Sequence, residues 1–338
     1  KSGKCATRLS GWSMGKYRRS EKLGRYVINT KGQSMSDIKI LVATHKEFYR
    51  PENPLIFQVQ VGSALADHHI EGILHDDEGE NISKKNRSYC ELTAQYWAWK
   101  NLQADYYGFF HYRRYMSFKQ NFPVTNGKIQ LKRWTPYLEA DSLEKDLSPY
   151  DLDEMHMRHV IEQYDVITVL SEHMDVTAYE QFGQFHRIRD LDCAIAILKE
   201  IHPEQAAACD AYMQSKYIYF CNMYIMKREY FHAYMNWLFP VLEKFESQTD
   251  FSGYSDKEKR VTGYIAERLF GVYYTWLKQQ GSAKCAEVPY VIFHQNVREF
   301  QLGKKGPIIK VDMRKVNQLI PAGTMRRRVV RRLLRKEL

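Results

Sequence analysis

Two arginines, Arg113 and Arg114, follow at once on the apolar run Tyr106-Tyr107-Gly108-Phe109-Phe110-His111. A guanidinium presents a fixed fork of donors that matches phosphate oxygens, and it stays charged at any working pH. Beneath a nucleotide diphosphate the pair would neutralise a departing pyrophosphate, a task otherwise given to a divalent metal. Structural salt bridges on a surface loop are the competing reading. A second apolar run, Ile38 to Thr44, ends in the same way, with His45 and Lys46. In open α/β sheets ligands gather where strands end at their carboxyl edge, so Thr44, His45, Lys46, His111, Arg113 and Arg114 are the first candidates for a binding site.

Carboxylates supply the other half of the chemistry. Asp190 and Asp192, just ahead of a helical pattern, and Glu267, on a helix with an apolar stripe, are candidates for a general base that takes the proton of an acceptor hydroxyl. Helix capping by Asp190 and an ion pair of Glu267 with Arg268 are the bland alternatives. The acidic stretch from His75 to Ser83 holds Asp76, Asp77 and Asn81, which suit the hydroxyls of a ribose or sugar. It lacks the alternating ligands of a calcium loop, and a solvated turn is the other reading. Glu91 and Lys100 share a helical pattern with Tyr96, Trp97 and Trp99. Core packing explains Tyr96 and Trp99 but leaves Glu91, Thr93 and Lys100 without a reason to be there. There is no nucleophile elbow, P-loop or dinucleotide fingerprint, so phosphate recognition must come from side chains.

The elements that position these residues follow from periodicity. Continuous apolar runs at 38–44, 106–111, 164–170 and 217–226 predict central strands covered on both faces. Between them lie helical patterns at 91–103, 191–201, 204–214, the last introduced by Pro203, and 229–246, broken or kinked at Pro240. The final helix is the best signalled: Ser255 and Glu258 have capping-box spacing, Val261, Ile265, Leu269, Val272 and Trp276 form a stripe, and Gly281 follows. Strands alternating with helices over about 250 residues predict an α/β fold, a central, mostly parallel sheet flanked by helices. Residues 119–160, polar and interrupted by Pro123, Pro136 and Pro149, read as an insertion or lid on a domain spanning 37–300.

The chain has 338 residues, 44% hydrophobic and 27% charged, enough for a sizeable core. Its net charge of +10 invites a nucleic-acid reading, a protein that binds through its basic tails, and the distribution weighs on that alternative. Residues 1–36 carry +8 and 304–338 carry +10, which leaves −8 on the body between them. An acidic body with basic ends argues against a nucleic-acid partner. The first 36 residues read as a basic linker or arm. In the tail, Arg326, Arg327, Arg328, Arg331 and Arg332 surround Val329, Val330, Leu333 and Leu334, the pattern of an interfacial helix at 324–337 lying on anionic lipid. Each basic residue there contributes roughly 1 kcal/mol. No window reaches the length of a membrane-spanning helix and no secretory signal is visible, so the expected location is cytoplasmic, peripheral at the inner face of the plasma membrane. Six cysteines without regular spacing suit free thiols rather than a zinc site. The chain begins at Lys1 rather than Met, and the expectation is a segment of a longer protein with a further domain.

That last expectation comes from a resemblance. Ile40 to Lys46, Val61-Gly62, Asp76 to Ser83, Asn86 with Tyr89 to Thr93, Tyr96 to Asn101, His111 to Tyr115, Asn222 to Met226, and Arg260 to Leu269 together resemble a bacterial glycosyltransferase family of capsule, exopolysaccharide and O-antigen synthesis. That family was first catalogued as a domain of unknown function and is associated with galactofuranosyl transfer. The resemblance covers about residues 37–280 and leaves the basic ends outside, and the further domain it implies in a longer chain is another glycosyltransferase domain. It implies the single-domain α/β architecture called GT-A, with a UDP-sugar donor over the carboxyl edge of the sheet and no tightly bound cofactor. UDP-galactofuranose, inversion to a β-linkage and a lipid-linked saccharide acceptor are the implied details. Where many GT-A enzymes hold a metal with Asp-x-Asp, this chain has His111-Tyr112-Arg113-Arg114, which leaves a divalent metal in question. By this reading Arg113, Arg114, His111 and Lys46 face the diphosphate. Thr44, His45, Asp76, Asp77, Asn81, Glu91 and Lys100 hold nucleotide or sugar, and the base is one of Asp190, Asp192 and Glu267.

Overall fold

The computed structural model describes residues 35–119, 137–140, 143 and 146–293, and the backbone of four short strands outside them. In chain order the strands are β1 Ile38–Thr44, β2 Ile56–Gln60, β3 Leu74–His75, β4 Tyr106–His111, β5 Arg114–Met116, β6 Val124–Thr125, β7 Lys128–Ile129, β8 Tyr137–Ala140, β9 Val166–Val169, β10 Glu172–His173, β11 Tyr217–Ile218, β12 Tyr224–Lys227, β13 Cys285–Val288, β14 Tyr290–Phe293, β15 Val297–Gln301 and β16 Ile308–Asp312. The helices are α1 Asn86–Tyr89, α2 Leu92–Asn101, α3 Glu154–Ile161, α4 Ala178–Phe185, α5 Ile188–Ile201, α6 Ala206–Met213, α7 Arg228–Gln248 and α8 Val261–Gln280.

The main sheet runs β13-β9-β12-β4-β1-β2-β3, with β5, β8 and β14 attached beside it. Pairing is parallel throughout this path except at β12, which lies antiparallel between β4 and β9. The fold is therefore mixed α/β with a mostly parallel central sheet flanked by helices, as expected. The carboxyl ends of β1, β2, β3, β4 and β9 share one edge, and β12 brings its amino end to it.

Alternation along β1 shows why the sheet is covered on both sides. Leu41 faces one core with α2, α5, α7 and α8, while Ile38, Ile40 and Val42 face another with α3 and β14. The late part of the supposed lid is core, because α3 buries Met157, Val160 and Ile161. The expected break at Pro240 is also absent, and α7 runs on to Gln248. Proline in a helix interior costs about 3 kcal/mol. Around it Trp237, Leu238, Phe239, Val241 and Leu242 are all buried, each contributing roughly 1.5–3 kcal/mol, so burial wins.

The capping box forms as read, with Ser255 and Glu258 bonding each other's backbone N–H, but it opens a short 3-10 turn at Glu258–Arg260 that leads into α8. Gly281 ends α8 in the left-handed conformation, φ 64°. Along α8, Gly271 lets α6 come close: a Cβ there would lie 2.0 Å from the Tyr212 ring.

The run 217–226 is not one strand. Cys221 and Asn222 adopt positive φ, 79° and 45°, and break it into β11 and β12. The basic arm as far as residue 34, most of 120–136, and the interfacial helix at 324–337 lie outside the described residues, and β15 and β16 pair as an antiparallel hairpin across the boundary placed at 300.

Candidate functional site

The carboxyl edge gathers cations first. Tyr112, between His111 and Arg113, is a hub: the His45 ring meets its face edge-on at 5.5 Å, the Lys46 ammonium sits 5.4 Å from its centroid, and the Arg113 guanidinium 5.0 Å. Burial lowers the His45 pKa, and the nearby charges of Lys46, Arg260 and Arg113 lower it further. A neutral imidazole thus stands inside a ring of positive groups. Thr44 turns its hydroxyl to the Lys46 carbonyl at 2.5 Å, which shapes this loop. Arg114 opens β5 and pairs in register with His111. Its charge bears on Cys221, Glu172 and Glu267, so it belongs to the acidic part of the edge.

That acidic part is built on the Cys221–Asn222 turn. The Cys221 N–H donates to Glu267 Oε1 at 2.8 Å, and His111 Nε2 lies 2.6 Å from the Cys221 carbonyl. Asn222 donates its amide to Glu91 Oε1 at 2.8 Å and to the Gly263 carbonyl at 3.2 Å. Burial is the largest influence on Glu267 and lifts its pKa to about 7, with Arg268 opposing and Glu91 adding to the rise. A carboxylate poised near neutrality beside a cationic cluster is what base-assisted displacement of a phosphate ester requires.

Arg268, next along α8, is only 3% exposed. It donates to Gln181, lies between the Phe182 and Phe220 rings, and leaves its Nε and Nη1 without partners. One turn before Glu267, Tyr264 stacks on His186 at 4.1 Å; burial, Arg268 and Lys257 push the His186 pKa down to about 4.

The other expected residues lie elsewhere. Asp76 is fully buried and holds the loop after β2, accepting from the Gly62 and Ser63 N–H groups at 2.8 and 3.0 Å and from the Ser83 hydroxyl. Gly62 takes φ 67° there, and a Cβ would strike Asn86, so this loop needs glycine. Asp77 pairs with His69 at 2.9 Å, and Asn81 bonds the Asp77 and Gly79 carbonyls. The acidic stretch is thus a self-bonded turn, and its carboxylate Asp76 is scaffolding. Lys100 sits on the Trp99 ring at 3.7 Å and pairs with Glu80 at 3.3 Å. Nine residues of helix separate it from Glu91, about 13 Å, so the two cannot serve one small site.

Asp190 and Asp192 are two residues apart on α5 and so face different ways. Asp190, 3% exposed, accepts from Tyr254 OH at 2.6 Å, while Asp192 is exposed and accepts from Tyr179 OH at 2.8 Å. Neither comes to the edge with Arg114; of the three candidate bases, Glu267 does.

Three contributors were missed from sequence. Glu172, just past β9, has its pKa raised by burial despite Tyr290 and Arg114 nearby; looking past the third strand as well as the first two would have found it. Arg260, before α8, bonds Cys90 Sγ at 3.3 Å. The Asn222 turn had a signal too, because asparagine is rare in strands and tolerates positive φ. Among the described residues no group of three or more His, Cys, Asp or Glu could hold a metal ion, and no helix is long and apolar enough to cross a membrane.

Comparison with known proteins adds independent findings. The profile of a family described as a domain of unknown function, DUF4422, matches residues 39–280. A solved apo structure of WbbM, described as a bifunctional glycosyltransferase, is similar at 31% identity and a TM-score of 0.71, over 80% of this chain and 47% of that one. The chain thus spans about half the length of that relative. No curated protein matches it.

Proposed function

The chain belongs to the family of the domain of unknown function DUF4422, and from that premise we propose that it is a glycosyltransferase that moves a sugar from a nucleotide diphosphate donor to a hydroxyl of a saccharide acceptor. The observation that carries this reading is Glu267, pinned by the Cys221 N–H and lifted to about 7, within electrostatic reach of Arg114. The similarity to WbbM, itself described as a bifunctional glycosyltransferase, supports it from outside the site.

The step is a direct displacement. The acceptor oxygen attacks the anomeric carbon, and its proton passes to Glu267, which must be ionised to take it. The bond from that carbon to the diphosphate oxygen breaks, and the electron pair leaves with the nucleotide. Arg113, Arg114 and Lys46 meet the growing negative charge, while Thr44 and neutral His45 line the approach to it. Attack opposite the leaving group inverts the anomeric centre.

The finer reading takes UDP-galactofuranose as donor, a lipid-linked glycan of bacterial surface polysaccharide as acceptor, and the basic ends as a means of resting on an anionic membrane. It rests on the family resemblance and on the charge distribution of the sequence. The test is product analysis by NMR after incubation with UDP-sugars and a lipid-like galactoside, with and without chelator. A β-linked product formed in both arms is expected. An α-linked product lost on chelation would replace this mechanism with a metal-dependent retaining one, and no transfer from any donor would overturn the reading.

A further inference from the structure

Cys221 and Asn222 are consecutive, neither is glycine, and both hold positive φ, 79° and 45°. Backbone strain of this kind survives only where the surroundings over-determine it. Here they do. His111 Nε2 lies 2.6 Å from the Cys221 carbonyl, the Gln95 amide donates to the Asn222 carbonyl at 3.2 Å, and Tyr224 OH holds Gln95 at 2.8 Å. The turn in turn grips two acids, Glu267 through the Cys221 N–H and Glu91 through the Asn222 amide, each at 2.8 Å. Both amide hydrogens of Asn222 are spent on Glu91 and Gly263, which fixes which way the amide faces. Glu267 Oε2 makes no hydrogen bond among the described residues.

We propose that Glu91 is a positioning residue for Glu267: the strained Cys221–Asn222 turn yokes the two carboxylates, holding a second negative group beside the base and leaving Glu267 Oε2 for the proton of the acceptor. This rests on the role given to Glu267 above and deepens it. Without a second acid nearby, Arg268, the Cys221 N–H and Arg114 would offset more of the rise that burial gives Glu267. A like charge held on the neighbouring residue of the same turn opposes them. The groups that bear on Glu267 are Arg268 and Tyr264 from α8, Glu91 and Cys90 from the approach to α2, Cys221 from the turn, Arg114 from β5, and Tyr212 from α6. Among these, Glu91 is the carboxylate, and it raises the Glu267 pKa.

The experiment is a 13C NMR titration of the whole chain labelled at glutamate side-chain carboxyls, with the Glu267 signal identified by its loss in Glu267→Gln. In Glu91→Gln the hydrogen-bond acceptor for Asn222 remains and the charge is gone. The Glu267 midpoint should fall by about one pH unit, a tenfold drop in proton affinity. Asn222→Gly keeps a backbone free to adopt positive φ and cuts the tether, and its midpoint should fall in the same direction by less. A midpoint unmoved in both variants overturns the proposal, and either variant alone decides it if the other fails to fold. The readout needs no turnover, so absence of sugar transfer would strike the proposed function and leave this test standing.

Discussion

The backbone N–H of Cys221 donates to Oε1 of Glu267 at 2.8 Å, and this bond joins the turn ahead of the reversed strand β12 to the helix α8. Residues 46 positions apart in the chain thereby form one unit with the cations that follow β1 and β4. Most of what the site should do in solution depends on that junction.

Removing the cations should affect the reaction and spare the fold. Arg113→Ala and Arg114→Ala should each lower transfer by roughly a hundredfold or more if each guanidinium contributes about 3 kcal/mol to the transition state. Steady-state rates with a UDP-sugar donor check this, and wild-type rates would remove the arginines from the leaving-group role.

Glu267 sets the acid limb of the pH profile. With its pKa near 7 the base is ionised only above that value, so kcat/KM should rise through about pH 7 and level off. Glu267→Gln should lose at least about a hundredfold and show no such limb. An unchanged limb in the variant would hand the role to another group.

The same group makes a prediction about stability. Burial raises the folded pKa from 4.5 to about 7, so within that window the folded protein holds a proton that the unfolded chain has released. The stabilising contribution is complete below about 4.5 and disappears as the pH rises through 7. Glu267→Gln, always neutral, should therefore gain in Tm over the wild type progressively from about pH 4.5 to about 7 and keep that gain above it, as read by thermal melts across that range.

Asp190 belongs to the scaffold. Tyr254 OH is its partner at 2.6 Å, and its other oxygen, buried, has none. Tyr254→Phe should cost about 1–3 kcal/mol in urea unfolding, because the buried carboxylate loses its hydrogen bond and keeps only the Arg189 guanidinium, 3.8 Å away. Exposed Asp192→Ala should shift stability by less than about 0.5 kcal/mol and leave transfer unchanged.

Gly271→Ala tests the helix crossing. The added Cβ would lie 2.0 Å from the buried Tyr212 ring, so α6 and α8 must part. A loss of about 1–3 kcal/mol or more is expected from denaturant midpoints, and a neutral effect would mean that the ring can move aside.

Much of the fold was legible in the residues themselves. Ile38–Thr44 and Tyr106–His111 read as buried strands from their apolar continuity, and α8 from its stripe, capping box and Gly281. Those signals are local, set by covalent neighbours and helical or strand periodicity. So was the cation cluster, because strand ends in an open sheet share an edge whatever the partners. Where local signals compete with packing, the reading failed: burial of the aromatic face carried α7 through Pro240, and apolar content alone hid the turn inside 217–226.

The choice of base, by contrast, lay beyond any local pattern. Asp190, Asp192 and Glu267 are equally acidic as letters, and helix phase sends one into the scaffold and one to solvent. The reversal of β12 brings Cys221 against α8 and Asn222 against Glu91, three segments far apart in sequence. Residue order was enough to read most of the elements and the charges they carry. Packing in three dimensions chose which carboxylate meets the arginines, because Coulomb interaction depends on distance in space.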